Sequence, residues 1–275
     1  MSAWQLESIP WQVFDPTKVD AKLLAQAKGA ALVESNAADY VAYLRGVFHD
    51  NPQLLAEIET WGEEEERHGA TLRKWCEMAD PHFDYEAALL RFKKAYKIPA
   101  PSKSVRGSPA RELVARCVVE TGTSTFYTAL KDACEEPLLK EICRRIAGDE
   151  IRHFNLFLKY LTTRYAREEH VGCSARLKTM LERVLEMDDP ELTFAHFAAN
   201  LGDDFDPRLF PLYAEKYMNE AMGYYRAKHF IMSAPMLAKT IGISLSARIS
   251  HFIGRLMYGF FHLRYCTFAQ NEVVY

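Results

Sequence analysis

Two short stretches of this chain carry one pattern, and the pattern demands helices. Trp61-Gly62-Glu63-Glu64-Glu65-Glu66-Arg67-His68-Gly69 and Gly148-Asp149-Glu150-Ile151-Arg152-His153-Phe154 each hold an acidic residue followed by Glu-x-Arg-His. On an α-helix, glutamate and histidine three apart project from the same face, so each pair can hold one metal ion. Of the nine histidines, only His68 and His153 have a glutamate three positions earlier. A single Glu-x-x-His is expected about once by chance in a chain of this length. Its recurrence with the same flanks is what gives the pattern weight.

A length of 275 residues allows one large domain, or one domain with an appendage, with ample interior for a buried site. The formal net charge of −3 provides no basic field of the kind nucleic acid requires, so no nucleic-acid partner is expected. No stretch offers the apolar run of a spanning helix, and Met1-Ser2-Ala3-Trp4-Gln5 lacks the charged start of a signal peptide. The six cysteines (Cys76, Cys117, Cys134, Cys143, Cys173 and Cys266) are scattered without Cys-x-x-Cys spacing. They read as reduced thiols of a cytoplasmic protein.

Along the chain the apolar spacing is helical throughout, and the expected fold class is all-α. Residues 1–17, with their prolines and tryptophans, form an extended lead-in. A long helix is expected from about Val19 to Phe48, on Leu23, Leu24, Ala27, Ala31, Val41, Leu44 and Val47. Asn51-Pro52 opens a second, running to about Met78, with Asn as N-cap and Pro in the first helical position. Tyr85 to Tyr96 is a short helix, followed by a loop marked by Pro99, Pro101, Gly107 and Ser108-Pro109. Helices then open at Pro109 and Pro137, and others are expected at 174–187, 190–200, 208–231 and 235–265. The domain reading is 1–17 lead-in, 18–170 metal-bearing bundle, and 171–275 additional helices, serving as substrate cover or dimer contact.

A two-metal helical bundle needs one more inward glutamate from each of two further helices. Glu34 lies 31 residues before Glu65, and Glu120 lies 30 residues before Glu150. The chain thus reads as a weak internal repeat of two helix hairpins. Ala30-Ala31-Leu32-Val33 precedes Glu34 and Cys117-Val118-Val119 precedes Glu120, apolar company in which an unpaired carboxylate is costly. Four carboxylates within about 4–5 Å repel by roughly 4 kcal/mol per pair at an effective dielectric near 20. Two divalent ions would neutralise them, and a carboxylate-rich set with one imidazole per metal suits iron or manganese. Glu34, Glu65, His68, Glu120, Glu150 and His153 are the expected ligands. Glu63 and Glu66 read as a solvated face. Glu64 and Asp149 read either as surface acids or as acceptors that fix a ligating imidazole of the opposite hairpin.

The stretch Trp61-x-x-Glu64-Glu65-x-Arg67-His68-Gly69-x-x-Leu72-x-Lys74 resembles the second-helix motif of the soluble acyl-carrier-protein desaturases. Ile142 to His153 resembles their fourth-helix motif, including the aspartate before the ligand. Glu120 with Thr123 resembles their third-helix Glu-x-x-Thr, and Trp11 matches their amino-terminal tryptophan. The resemblance spans roughly residues 11–165 and fades beyond. It implies a ferritin-like bundle, usually a homodimer, holding two iron ions. It also implies a fatty acyl chain on acyl carrier protein as substrate and reduced ferredoxin as electron donor. By the same resemblance Thr123 assists oxygen activation, while Trp11 and Asp149 lie on an electron route toward His68. The residues alone equally allow Thr123 to be a helix hydroxyl bonded back to a carbonyl, and Trp11 to be a packed aromatic.

The segment from Pro235 to Phe268 is cationic and aromatic, with Lys239, Arg248, Arg255 and Arg264 among Phe252, Leu256, Met257, Tyr258, Phe260, Phe261 and Tyr265. Such a helix packs as a core or dimer-contact element, lies on a membrane surface, or covers an acyl tunnel. Lys93, Lys94, Lys97, Lys103 and Arg106 read either as a solvated surface or as a patch for an acidic carrier. The expected function is therefore a two-iron, oxygen-dependent oxidase of an aliphatic C–H bond, with desaturation of an activated acyl chain first. Manganese is possible at one site. A hydroxylase or N-oxygenase, and an iron-storing or peroxide-scavenging relative, are the alternatives.

Overall fold

A computed structural model describes residues 4–98, 103–186 and 190–266, except the side chain of Cys266. Pro99 and Pro101 of the expected loop, the last residue of the helix expected at 174–187, and Phe268 lie outside the described residues. Among the described residues every regular element is helical.

The chain runs α1 (Ala21–Glu34), α2 (Ala37–Val47), α3 (Pro52–Ala79), α4 (Tyr85–Ala95), α5 (Pro109–Ala133) and α6 (Pro137–Tyr160). A π-helical turn, Leu161–Tyr165, leads into the short α7 (Ala166–Glu168). There follow α8 (Cys173–Leu185), α9 (Pro190–Asn200), α10 (Phe210–Met222), α11 (Ala227–Thr240) and α12 (Ala247–Cys266). The starts obey capping chemistry. Asp20 accepts from the backbone N–H groups of Lys22 and Leu23, and Asn51 accepts from that of Leu54 with Pro52 behind it.

Two expectations need correction. The single helix expected over 19–48 is broken at Ser35-Asn36. There Ser35 Oγ donates to Ala31 O at 2.8 Å, Asn36 N closes a tighter turn on Val33 O at 2.9 Å, and Asn36 Nδ2 reaches Glu191 Oε1 at 3.0 Å. Ser35 keeps right-handed helical dihedrals, whereas Asn36, at φ −90° and ψ 6°, leaves them. The helices expected at 208–231 and 235–265 are three, not two. Pro235 lies inside α11 rather than before a helix, and α11 stops where Gly242 adopts φ +87°.

The helices gather into two compact units, each built from interleaved stretches of sequence. One contains residues 1–102, 130–145 and 188–217. Within it α3 packs on α1 and α2, and α9 packs on α1 and α4, around Leu32, Leu44, Leu54, Ile58, Leu72 and Trp75. Buried Glu136 ties its parts together. Oε1 accepts from the backbone N–H of Asp15 and Leu138, while Oε2 accepts from Trp75 Nε1 at 2.8 Å and from Leu139 N at 2.7 Å. One carboxylate thus caps α6 and anchors both the lead-in and α3.

The other unit contains residues 103–129, 146–187 and 218–275. In it α11 packs along α12 and touches α8. Leu113, Val114, Cys117, Phe154 and Phe157 are among its buried side chains. The all-α expectation holds, with four helices bearing the Glu and His residues and further helices toward the carboxyl terminus.

Candidate functional site

The first unit brings three of the expected ligands together. Glu65 and His68 share a face of α3, and Glu34 ends α1. His68 Nδ1 lies 3.6 Å from Glu65 Oε2 and 3.8 Å from Glu34 Oε2. All three residues are buried, His68 completely. Gly69 permits this approach. A Cβ there would stand 2.4 Å from Ser35 Oγ and 3.3 Å from the carbonyl carbon of Glu34, so any larger residue would push α3 away from the end of α1.

The second unit repeats the arrangement. His153 Nδ1 lies 3.7 Å from Glu120 Oε2 on α5 and 3.8 Å from Glu150 Oε2 on its own helix. These three residues are at most 3 % exposed. The same imidazole nitrogen faces one local and one distant glutamate in both units, at nearly the same separations.

Those separations exceed hydrogen-bond range and suit a cation. Ligand atoms about 2.1 Å from a metal and about 90–120° apart lie about 3.0–3.6 Å from one another. The ligand-capable atoms of each triad fall within 4.8 Å of one another. Two clusters able to hold a metal ion are therefore present, each with two carboxylates and one imidazole. This is the oxygen-rich donor set of iron and manganese chemistry, not the thiolate set of structural zinc.

The flanking residues add detail that spacing alone did not give. Arg67 and Arg152, the arginines of the repeated motif, each pair with the acid three residues earlier. The separation is 3.5 Å for Glu64–Arg67, and Asp149 takes a short bond from Arg152 Nη1. Asp149 is buried, so it is no surface acid, while Glu63 and Glu66 are exposed as expected. Thr123 Oγ1 reaches Val119 O and Glu120 O at 3.2 Å and Glu150 Oε2 at 2.7 Å. This hydroxyl is thus bonded back to its own helix and also within reach of a candidate ligand.

The tryptophan that stacks on a site histidine is Trp4. Its ring lies 5.8 Å from that of His68 at 14°, with the Arg67 guanidinium 5.1 Å from its centroid. Trp11 instead lies under Lys74 Nζ, at 4.0 Å, and donates to Leu6 O. Arg116 was also missed. This buried guanidinium donates to Glu120 Oε1 at 2.8 Å from one turn back on α5. Its place four residues before a candidate ligand was the available signal.

In the basic stretch, Lys93 pairs with Asp39 at 3.6 Å and Arg106 with Glu186 at 2.6 Å, whereas Lys94, Lys97 and Lys103 are exposed. Of the cysteines, Cys76, Cys117, Cys134 and Cys143 are buried free thiols and Cys173 is an exposed one. Burial raises the thiols of Cys76, Cys117 and Cys143 well above the usual range and pushes that of Cys134 up to about 11. They are inert packing groups, as their scattered spacing implied. No described helix is long and apolar enough to cross a membrane.

Comparison with curated proteins finds no match to this chain. Comparison with protein families matches residues 55–232 to the family described as fatty acid desaturase. That span includes Glu65, His68, Glu120, Thr123, Asp149, Glu150 and His153, and runs past residue 165 into α11. It covers more than half of the chain, and with the paired carboxylate–imidazole clusters it marks an oxidoreductase architecture. The chain belongs to the fatty acid desaturase family.

Proposed function

We propose that this protein is a two-iron, oxygen-dependent oxidase that desaturates an activated fatty acyl chain. The observation that carries the reading is the duplicated buried triad within a chain of this family. Glu34, Glu65 and His68 would hold one iron, and Glu120, Glu150 and His153 the other. When bound, the metal pair supplies the dioxygen reduction that removes two hydrogens from adjacent carbons. The balance is one dioxygen, two electrons and two protons from outside, two hydrogens from the chain, and two waters as product. A reduced ferredoxin would be the electron donor, acyl carrier protein the bearer of the substrate, and a homodimer the working assembly.

The chain's own residues hold the ligands in place. Thr123 donates to Glu150 Oε2 and Arg116 to Glu120 Oε1, so each of these carboxylates keeps one oxygen oriented by a fixed donor. Trp4 covers the imidazole of His68 and restricts water at that ring. Burial of the three ligand residues in each cluster keeps each one dry, which favours abstraction of hydrogen from an aliphatic chain over leakage to solvent.

The test is metal analysis followed by product analysis. Protein produced with ample iron should contain two irons per chain, and Glu120→Ala with Glu150→Ala should lose about one of the two while remaining helical by circular dichroism. Manganese in place of one iron would show in the same measurement. Mass spectrometry of an acyl chain turned over with dioxygen and reduced ferredoxin should show loss of two hydrogens. Gain of an oxygen atom would reassign the chemistry to hydroxylation. An iron-loaded protein that consumed peroxide and left every acyl chain untouched would overturn the reading.

A further inference from the structure

The carboxyl-terminal helix α12 carries an apolar face that points to solvent. Ile249, Phe252, Leu256, Phe260 and Leu263 are each between 49 and 65 % exposed. At about 100° per residue they fall within an arc of about 80°, along about 21 Å of helix. The opposite face, with Ser250, Gly254, Phe261 and Tyr265, is the buried one, and Phe261 stacks on Phe230 of α11 at 5.5 Å. So α12 is apolar on two sides, and among the described residues only one of them is covered. This helix lies beyond the span matched to the desaturase family, so the family relation does not account for its outer face.

Charge identifies what the face is for. From Ala221 to Asn271 the sequence contains no Asp or Glu, but it contains Arg226, Lys228, Lys239, Arg248, Arg255 and Arg264. All six cations are exposed. On the helical wheel Arg248 and Arg255 flank the stripe on one side and Arg264 on the other. A second copy of the chain would fit this surface poorly. Pairing stripe against stripe would set the arginines of one α12 beside those of the other, with no acid on either α11 or α12 to relieve them. An anionic lipid surface meets both features at once, since acyl chains take the stripe and headgroup phosphates take the arginines.

We propose that α12 is a docking face for an anionic membrane surface, lying in the interfacial plane with its stripe turned toward the acyl chains. The proposal does not depend on the metal chemistry, because it concerns where the protein sits rather than what it catalyses.

The experiment is cosedimentation of the full-length protein with vesicles of phosphatidylcholine alone and of phosphatidylcholine mixed equally with phosphatidylglycerol. Binding to the mixed vesicles should exceed binding to the neutral ones by about tenfold and fall as salt rises. Phe252→Asp with Leu256→Asp should lower binding about tenfold with helicity unchanged, because both side chains already stand in water. Arg248→Gln with Arg255→Gln should weaken binding to the mixed vesicles alone. Equal binding to both vesicle types, no binding, or an aspartate variant that binds as well as the parent would each overturn the proposal. So would a dimer in vesicle-free solution that the aspartate pair dissociates, since the face would then be a contact between copies.

Discussion

Arg116 and Thr123 stand about two helical turns apart on α5, and each acts on a single carboxylate, Arg116 on Glu120 and Thr123 on Glu150. A buried ion pair such as Arg116–Glu120 is weak evidence of stability, but removing one member leaves an uncompensated charge and costs about 3–5 kcal/mol. Away from the site, Glu141 shows a plainer electrostatic effect. Hydrogen bonds from Arg144 and Arg145 hold its carboxyl down to about 2 from an ordinary value of 4.5. Because the folded value is depressed, the stabilisation is present above the unfolded value and is lost as pH falls toward 2. Glu141→Gln should therefore melt slightly below the parent near neutrality, and the gap should close across that acid window in a pH series of thermal melts. The effect will be small, because Glu141 is only part-buried and its partner Arg144 is largely exposed.

Helices here are positioned by contacts that cannot be widened. Gly69 sits where α3 meets the end of α1, and a methyl group there collides with Ser35. Gly69→Ala should cost about 1–3 kcal/mol and loosen the Glu34 end of the first cluster. Gly148 on α6 is the opposite case, exposed with nothing near its absent Cβ. Gly148→Ala should stabilise by about 0.5–1 kcal/mol through helix propensity alone. Differential melting of the two variants separates a packing glycine from one that only loosens a helix. The break at Ser35-Asn36 belongs to the same scale. It ends α1 at Glu34, and the partners that hold it come from α3, from α9 and from Tyr85, whose hydroxyl bonds Ser35 Oγ at 2.6 Å.

For the whole molecule the two clusters imply a link between metal and stability. Four buried carboxylates without cations oppose folding through mutual repulsion. A ligand that binds only the native state adds about 2.7 kcal/mol at a hundred times its Kd. Chelator-treated protein should thus melt several degrees below the iron-loaded form, and anaerobic return of ferrous iron should restore the difference. The Glu120→Ala, Glu150→Ala variant should show a smaller response to iron than the parent. A parent protein whose melting is indifferent to iron would count against the whole assignment.

How much of the fold and the site was legible in the sequence depended on how local each feature is. Glu65 with His68 and Glu150 with His153 were readable because three residues on one helix fix their own geometry, and the all-α class followed from the same periodicity. Glu34 and Glu120 were found by spacing and apolar company, which only a repeated hairpin makes informative. The helix break after Glu34, the stacking of Trp4 rather than Trp11 on His68, and the splitting of the carboxyl-terminal third were not legible. Each is set by a partner distant in sequence or by the path of an irregular segment. The same limit applies to α12. A helix apolar on both sides has one pattern whichever side is buried, and only the packing of α11 against it decided which face was left in water.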